Sequence, residues 1–309
     1  MEKILKKKTR IFLPYNLEIE TWSDIEPFFG QLKARNVQDW VDFEKWLMDL
    51  GEMEAVLEEE AAWRYIRMTC DTTNQELRDR YSYFVSEISP KIAPIANEFN
   101  QRIHKSPFKE RLPEHEQYRN YFKSIAKDIE IYREENIPIE AELANMAQEY
   151  GAIQGAMTIH HDGKELTLQQ AAVYLKQNDR ELREKVWRAV AERRFADKDK
   201  LDELYTRLIA KRDEVAKNAG FENFRDYKFV SMGRFDYTKQ DCFDFHDSIK
   251  TFISPIIAEM TEKRRSQMKL DVLRPWDGDC DPLGREPLHP FNGGKELLAK
   301  TREVFDITD

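Results

Sequence analysis

Apolar side chains recur three and four positions apart throughout residues 167–247, and this spacing restricts the possible folds more than any other feature of the chain. Leu168, Ala171, Ala172 and Leu175 make one such face, Leu182, Val186, Ala189 and Val190 a second, and Leu201, Leu204, Leu208 and Val215 a third. A period near 3.6 residues gives a helix one buried stripe, so the stretch predicts successive amphipathic helices. Their ends are marked as well. Thr167 with Gln170, and Asn178 with Glu181, have the spacing of a reciprocal cap that covers free amides in the first turn. Gly220 follows Ala219 where a left-handed residue can close a helix. Such periodicity specifies packing and says nothing of a reaction.

The same signals extend through the rest of the chain. A short helix is expected over 24–32, starting near Ser23. Asn36 is the expected cap of a long helical region, 37–68, with Trp40, Phe43, Trp46 and Leu47 on one face and a break at Gly51. Thr72 or Thr73 opens a helix through Leu77, Tyr81, Phe84 and Ile88, which Pro90 and Pro94 deflect. Helix 95–103 stops at Ser106, Pro107 and Pro113. Two more run from Glu114 through Tyr118, Phe122, Ile125 and Ile129, and over 139–150. The many aromatic residues of these helices are read as packing between helices. Beyond them, a helix over 241–269 is kinked by Pro255, a Pro-, Gly- and Asp-rich loop covers 270–294, and a last helix occupies 294–305. Only residues 156–168 change period. There AMTIHHDGKELTL alternates around Asp162-Gly163, a dipeptide that accepts the positive φ angles of a tight hairpin. The expected fold is all-α with one small β-hairpin near 156–168, in two regions, 1–155 and 156–309. No repeat of 20 to 50 residues supports a solenoid.

Composition removes several function classes. The chain has 309 residues, 41% of them hydrophobic. A mean hydropathy of −0.73 and the lack of about eighteen consecutive apolar residues leave no membrane span to expect. The basic opening, MEKILKKKTRIF, lacks the apolar core and cleavage site of a signal peptide. With 49 basic against 58 acidic residues the net charge is −9, which disfavours nucleic acid as a partner; the basic run at 6–8 reads as a solvated terminus. Cys70, Cys242 and Cys280 are odd in number and widely spaced, as reduced thiols of a cytoplasmic protein are.

A zinc peptidase helix needs two histidines four residues apart with a glutamate after the first. The histidines are His104, His115, His160, His161, His246 and His289, and no two have that spacing. His115-Glu116 opens correctly, but Arg119 stands where the second histidine belongs. His160 and His161 are neighbours in a strand, point to opposite faces, and are read as exposed hairpin polar residues. Glu286 and His289 form a Glu-x-x-His pair that Pro287 interrupts. Cys242 lies at helical spacing from His246, without an evident orienting partner, and is read as a buried structural cysteine. Glu58, Glu59 and Glu60 read as a wet helical face. Asp277, Asp279 and Asp281 alternate as in a calcium loop, but the closing glutamate of such a loop falls on Leu288. Asn292-Gly293-Gly294-Lys295 is too short for a phosphate-cradling loop, and no Gly-x-Ser-x-Gly elbow occurs. The residues alone therefore assign no catalytic, cofactor-binding or metal site.

Longer motifs are more specific. The runs DRELREKVWRA, LDELYTRLIAKRDEVAKNAGFENFRDYKF and GRFDYTKQDCFDFH, followed by DVLRPWDGDCDPLGREPLHPF, resemble the oligoendopeptidase F branch of the thimet-type zinc oligopeptidases. The likeness covers at least 169–305 and, more loosely, the N-terminal half. It implies part of a channel-type metallopeptidase fold and an M3-type oligoendopeptidase, cytoplasmic, hydrolysing oligopeptides with metal-activated water and no covalent intermediate. It also implies that the zinc-bearing helix, with its two histidines and the glutamate between them, and a further glutamate ligand follow beyond Asp309. The chain is thus expected to be the N-terminal and early catalytic part of such an enzyme, truncated before the metal motif, binding no zinc and inactive alone. The expected partners are oligopeptide substrates, with neither nucleic acid nor membrane. The alternative is a non-catalytic helical scaffold or peptide-binding protein; an unrelated carboxylate-using helical enzyme ranks last. Truncation is expected to leave Leu297, Leu298 and Phe305 without partners and so to favour self-association.

Overall fold

The computed structural model describes residues 10–109 and 116–308. The basic run at 6–8, the Pro113 break, the helix start at Glu114, His115 and Asp309 lie outside the described residues. The helices, in chain order, are α1 (Glu26–Ala34), α2 (Trp40–Cys70), α3 (Gln75–Tyr83), α4 (Ser89–Lys105), α5 (Glu116–Ile131) and α6 (Asn136–Gly155). A hairpin of β1 (Thr158–His161) and β2 (Lys164–Thr167) follows, then α7 (Leu168–Ala172), α8 (Arg180–Ala196), α9 (Lys198–Asn218) and α10 (Phe224–Ser231). The last three are α11 (Lys239–Ser248), α12 (Ser254–Gln267) and α13 (Gly293–Thr308). The fold is all-α with one small hairpin.

Two compact units form. One contains the described residues up to Ala156 together with Asp199–Asp241; the other contains Met157–Lys198 and the residues from Cys242 onward. The segment carrying most of α9 and all of α10 thus belongs with the N-terminal helices.

The first unit is built on α2. Phe43, Trp46, Leu50, Met53 and Leu57 recur every three or four residues and are all buried, against Ile25, Phe29 and Leu32 from α1 and its entry and Phe99 and Ile103 from α4. Trp46 is 0% exposed. Its ring meets Phe99 edge-on at 5.5 Å, and its Nε1 donates to the Leu32 carbonyl at 3.0 Å, so burying the indole strands no polar atom. Arg102 lies 4.7 Å over the same ring and donates to the Leu32 and Arg35 carbonyls at 3.2 and 2.5 Å. It thereby covers the end of α1, where carbonyls lack helical partners. Glu52 accepts the N–H groups of Ile11, Phe12 and Leu13 at 2.7–3.0 Å and fixes the extended lead-in.

Two expectations fail here. No break occurs at Gly51, because Leu50 and Met53 are buried on either side of it; their burial outweighs the roughly 1 kcal/mol that glycine costs a helix. The cap of α2 is Asp39, whose carboxylate accepts the Asp42 N–H at 2.9 Å, and not Asn36. The expected closure at Gly220 does form, with φ +87 and the Gly220 and Phe221 N–H groups donating to Lys217 and Ala216 at 2.9 Å.

The prolines act through wide turns. A π-turn at Phe84–Ile88 joins α3 to α4 ahead of Ser89-Pro90, and another at Ile249–Ile253 joins α11 to α12 ahead of Ser254-Pro255. Proline has no N–H and its ring crowds the carbonyl four residues back, so the preceding turn widens to bonds five residues apart. In the first turn the Ser89 N–H reaches the Phe84 carbonyl. The kink expected at Pro255 takes this form.

In the second unit, β1 and β2 pair antiparallel from Thr158 with Thr167 to His161 with Lys164. Asp162 and Gly163 turn the chain with φ of +48 and +75, as their sequence predicts. Thr167 and Gln170 cap α7 reciprocally at 2.9 and 3.2 Å. The Asn178 and Glu181 pair does not form. Asp179 caps α8 instead, accepting the Glu181 and Leu182 N–H groups at 3.0 and 3.1 Å, and Asn178 donates to the Gly284 carbonyl and the Glu286 carboxylate.

Candidate functional site

The second unit holds a buried charged knot. Asp277, at the end of a short 3₁₀ turn (Pro275–Asp277), has a side chain that is 0% exposed. Arg180 of α8 grips it with two bonds of 2.9 Å, Arg183 adds one of 3.1 Å, and the Arg274 N–H one of 2.9 Å. Burial opposes its charge, yet Arg180, the Arg274 amide and Arg183 together hold its pKa down at about 2. Arg183 also donates to the Trp276 carbonyl at 2.9 Å, while Arg264 of α12 donates to the carbonyls of Asp277 and Cys280. Trp276 packs on Trp187 at 5.5 Å with the Arg188 guanidinium 5.1 Å over its ring. The aspartate-rich stretch likened to a calcium loop is thus an arginine-held tie between α8, α12 and the 270–294 loop. Asp281 is also engaged, with Arg285 at 2.7 Å and the Leu283 N–H at 2.8 Å.

The other sequence candidates do not come together. His160 is exposed, but His161 is buried, contrary to the expectation for both. Its ring meets Tyr174 edge-on at 4.7 Å, and its Nε2 has no hydrogen-bond partner, although Asp162 Oδ2 lies 3.3 Å away. The strand period held the clue, since His161 shares a face with Ile159, which is also buried. Cys242 is half-buried on α11 and not a core cysteine; Cys280 takes that place, and Cys70 is exposed. His246 and His289 are exposed. No helix spans 286–289, and Glu286 is bound to Asn178 at 2.9 Å. Glu58 and Glu59 are exposed as expected, whereas Glu60 holds the buried Arg64 at 2.6 Å. Among the described residues no three His, Cys, Asp or Glu side chains are placed to hold a metal ion. The donors present here do not fit zinc.

In the first unit, carboxylates of α2, α5 and α6 and a phenol of α10 have shifted titrations that the sequence did not reveal. Glu54 of α2 keeps some open surface, yet burial among neighbouring atoms, and then the charges of Glu58 and Asp128, push its pKa up to about 7. Burial also raises Asp128. Tyr227 donates to Glu140 at 3.3 Å; burial, then Glu140, moves the phenol up to about 12, and burial raises Glu140 itself.

The same unit contains an open cleft of about 740 Å³ between α6, α9 and the π-turn that leads into α4. A smaller hollow of about 410 Å³ has Phe122 and Ile125 at its floor and His104, Arg119 and Lys123 at its rim. No helix among the described residues is long and apolar enough to cross a membrane.

Two family models match the chain: the peptidase M3 N-terminal domain over residues 12–132 and peptidase family M3 over 173–295. No curated protein matches it. Among solved structures, a protein described as an oligoendopeptidase F from Bacillus anthracis strain Ames superposes with a TM-score of 0.87 at 18% identity, over 96% of this chain and 54% of that one. PZ peptidase A with an inhibitor gives 0.88 at 20% identity, over 97% and 53%. An oligoendopeptidase-F from Enterococcus faecium gives 0.66 at 14%, over 84% and 54%. The chain spans about half the length of each of these structures.

Proposed function

Because the chain belongs to peptidase family M3, we propose that it is the N-terminal and early catalytic portion of a zinc-dependent oligoendopeptidase that cuts oligopeptides in the cytoplasm. The observation that carries this reading is the superposition, at TM-scores of 0.87 and 0.88, of 96–97% of the chain on about half of an oligoendopeptidase F-like protein and of an inhibitor-bound peptidase. Zinc is the metal the family implies. Its ligands belong, in this reading, to a segment outside the 309 residues, since the donors among the described residues do not converge. What this chain contributes is helices, and within the second unit the arginine knot at Asp277 ties the 270–294 loop to α8 and α12.

The reading frame beyond codon 309 tests the proposal cheaply. Continuation into a helix carrying His-Glu-x-x-His is the expected outcome. A stop codon at that place in the native gene would instead favour a non-catalytic helical scaffold or peptide-binding protein.

A further inference from the structure

We propose that the 740 Å³ cleft of the first unit is a binding site for an uncharged, extended stretch of peptide carrying an apolar side chain. Its volume falls within the roughly 300–1,000 Å³ typical of ligand clefts. The chemistry of its lining selects the ligand. Pro90, Ile137 and Pro138 form apolar walls, and Met146 forms a floor continuous with the buried Leu204 and Leu208. Such a surface takes an aliphatic side chain.

The polar groups around those walls are amides and hydroxyls. Gln148 has no hydrogen-bond partner among the described residues, so its carboxamide offers one acceptor and two donors. Ser86 accepts from Asn145 Nδ2 at 3.0 Å and keeps its own hydroxyl hydrogen to give. Asn145 is in turn fixed by Ser82, which donates to its Oδ1 at 3.0 Å, and by the Ala141 carbonyl at 3.1 Å. An extended peptide has N–H and C=O groups along its length to meet such an edge.

The same lining argues against other ligands. The charged side chains at its mouth are compensated: Arg207 pairs with Glu149 at 3.1 Å and Lys211 with Glu142 at 2.9 Å. A phosphate or nucleotide would find no uncommitted cation there. No aromatic ring lines the cleft, so a sugar or a base has no face to stack on.

This site extends the peptidase reading, but its test measures binding on this chain and never cleavage, so the two fail separately. The probe is the capped peptide acetyl-Gly-Leu-Val-Gly-amide, titrated calorimetrically into the 309-residue chain. Binding is expected, with affinity lower by about fivefold in Gln148→Ala, the effect of one lost hydrogen bond, and by tenfold or more in Ala141→Trp, which fills the cleft. Circular dichroism and thermal melting identify any variant that fails to fold. The unmodified chain gives a second readout, in which a photo-leucine version of the peptide should cross-link within residues 86–90 or 137–149. The proposal is overturned by unchanged affinity in both folded variants, by cross-links elsewhere only, by no binding at millimolar peptide, or by equal binding of inorganic phosphate.

Discussion

The two units differ in the size of their apolar cores and in the apolar groups they leave exposed. The first closes around aromatic and aliphatic side chains, with Phe43, Trp46, Met53, Phe99 and Ile103 at or near zero exposure. The second buries a carboxylate and the arginine beside it, Asp277 and Arg183, and leaves apolar groups outside: every residue from 243 to 263 is exposed, including Phe245, Phe252, Ile256 and Met260, as are Leu297, Leu298 and Phe305 of α13. Phe252, Ile256 and Met260 are four residues apart and share one helix face, and an exposed apolar stripe of this kind is uncommon on a solitary soluble domain. The first unit thus has the larger apolar core, whereas in the second, charge-assisted bonds fix the 270–294 loop beside buried Met157, Ile159, Ala171 and Val186.

That contrast can be broken at either end. Trp46→Ala should cost the first unit the most, about 3–5 kcal/mol, by opening a cavity in its core; thermal unfolding measures it. Asp277→Ala should cost the second unit about 3–4 kcal/mol, because Arg183 stays buried without its partner. Loss of protection in the 270–294 loop by hydrogen exchange would localise that effect.

Acid separates the units further. The pKa of Asp277 is depressed to about 2 in the folded state, below the ordinary carboxylate value near 3.9. Its contribution is present above pH 4 and disappears as the pH falls from about 4 toward 2. Glu54 behaves in the reverse sense. Its folded pKa is raised to about 7, so the native state binds the extra proton and stability declines as pH rises from about 4.5 through 7. Glu54→Gln should accordingly raise the melting temperature at pH 8 and have almost no effect at pH 4.5, by less than about 1 kcal/mol because the group keeps open surface.

The smallest effect on folding is expected on the exposed face. Phe252→Ser with Ile256→Ser should alter stability by no more than about 0.5 kcal/mol each, and should associate less with rising concentration than the unmodified chain when both are measured by light scattering. Unchanged association would show that this face is not what makes the chain self-associate.

The sequence revealed the fold more fully than the site, for physical reasons. Local signals carried helix periods, the Asp162-Gly163 turn, the Thr167 cap and the Gly220 closure, all of which depend on residues within a turn or two of one another. Where they failed, tertiary burial decided: Leu50 and Met53 carried α2 through Gly51, and Ile159 predicted the burial of His161 only once strand facing was taken into account. The Asp277 knot joins residues about ninety positions apart, and the crowding of Glu54 arises between helices far apart in sequence. No spacing rule reports either one. The cleft was equally invisible, since Ser86, Gln148 and Arg207 meet only after three separate helices pack.

Zinc content and chelator-sensitive cleavage of an internally quenched oligopeptide, measured on the purified 309-residue chain and on the product of its complete reading frame, test most directly whether these helices frame a metal centre supplied from outside them. The expected result is stoichiometric zinc and chelator-sensitive cleavage in the complete product and neither in the 309 residues. Stoichiometric, tightly held zinc with cleavage by the 309-residue chain alone would contradict it.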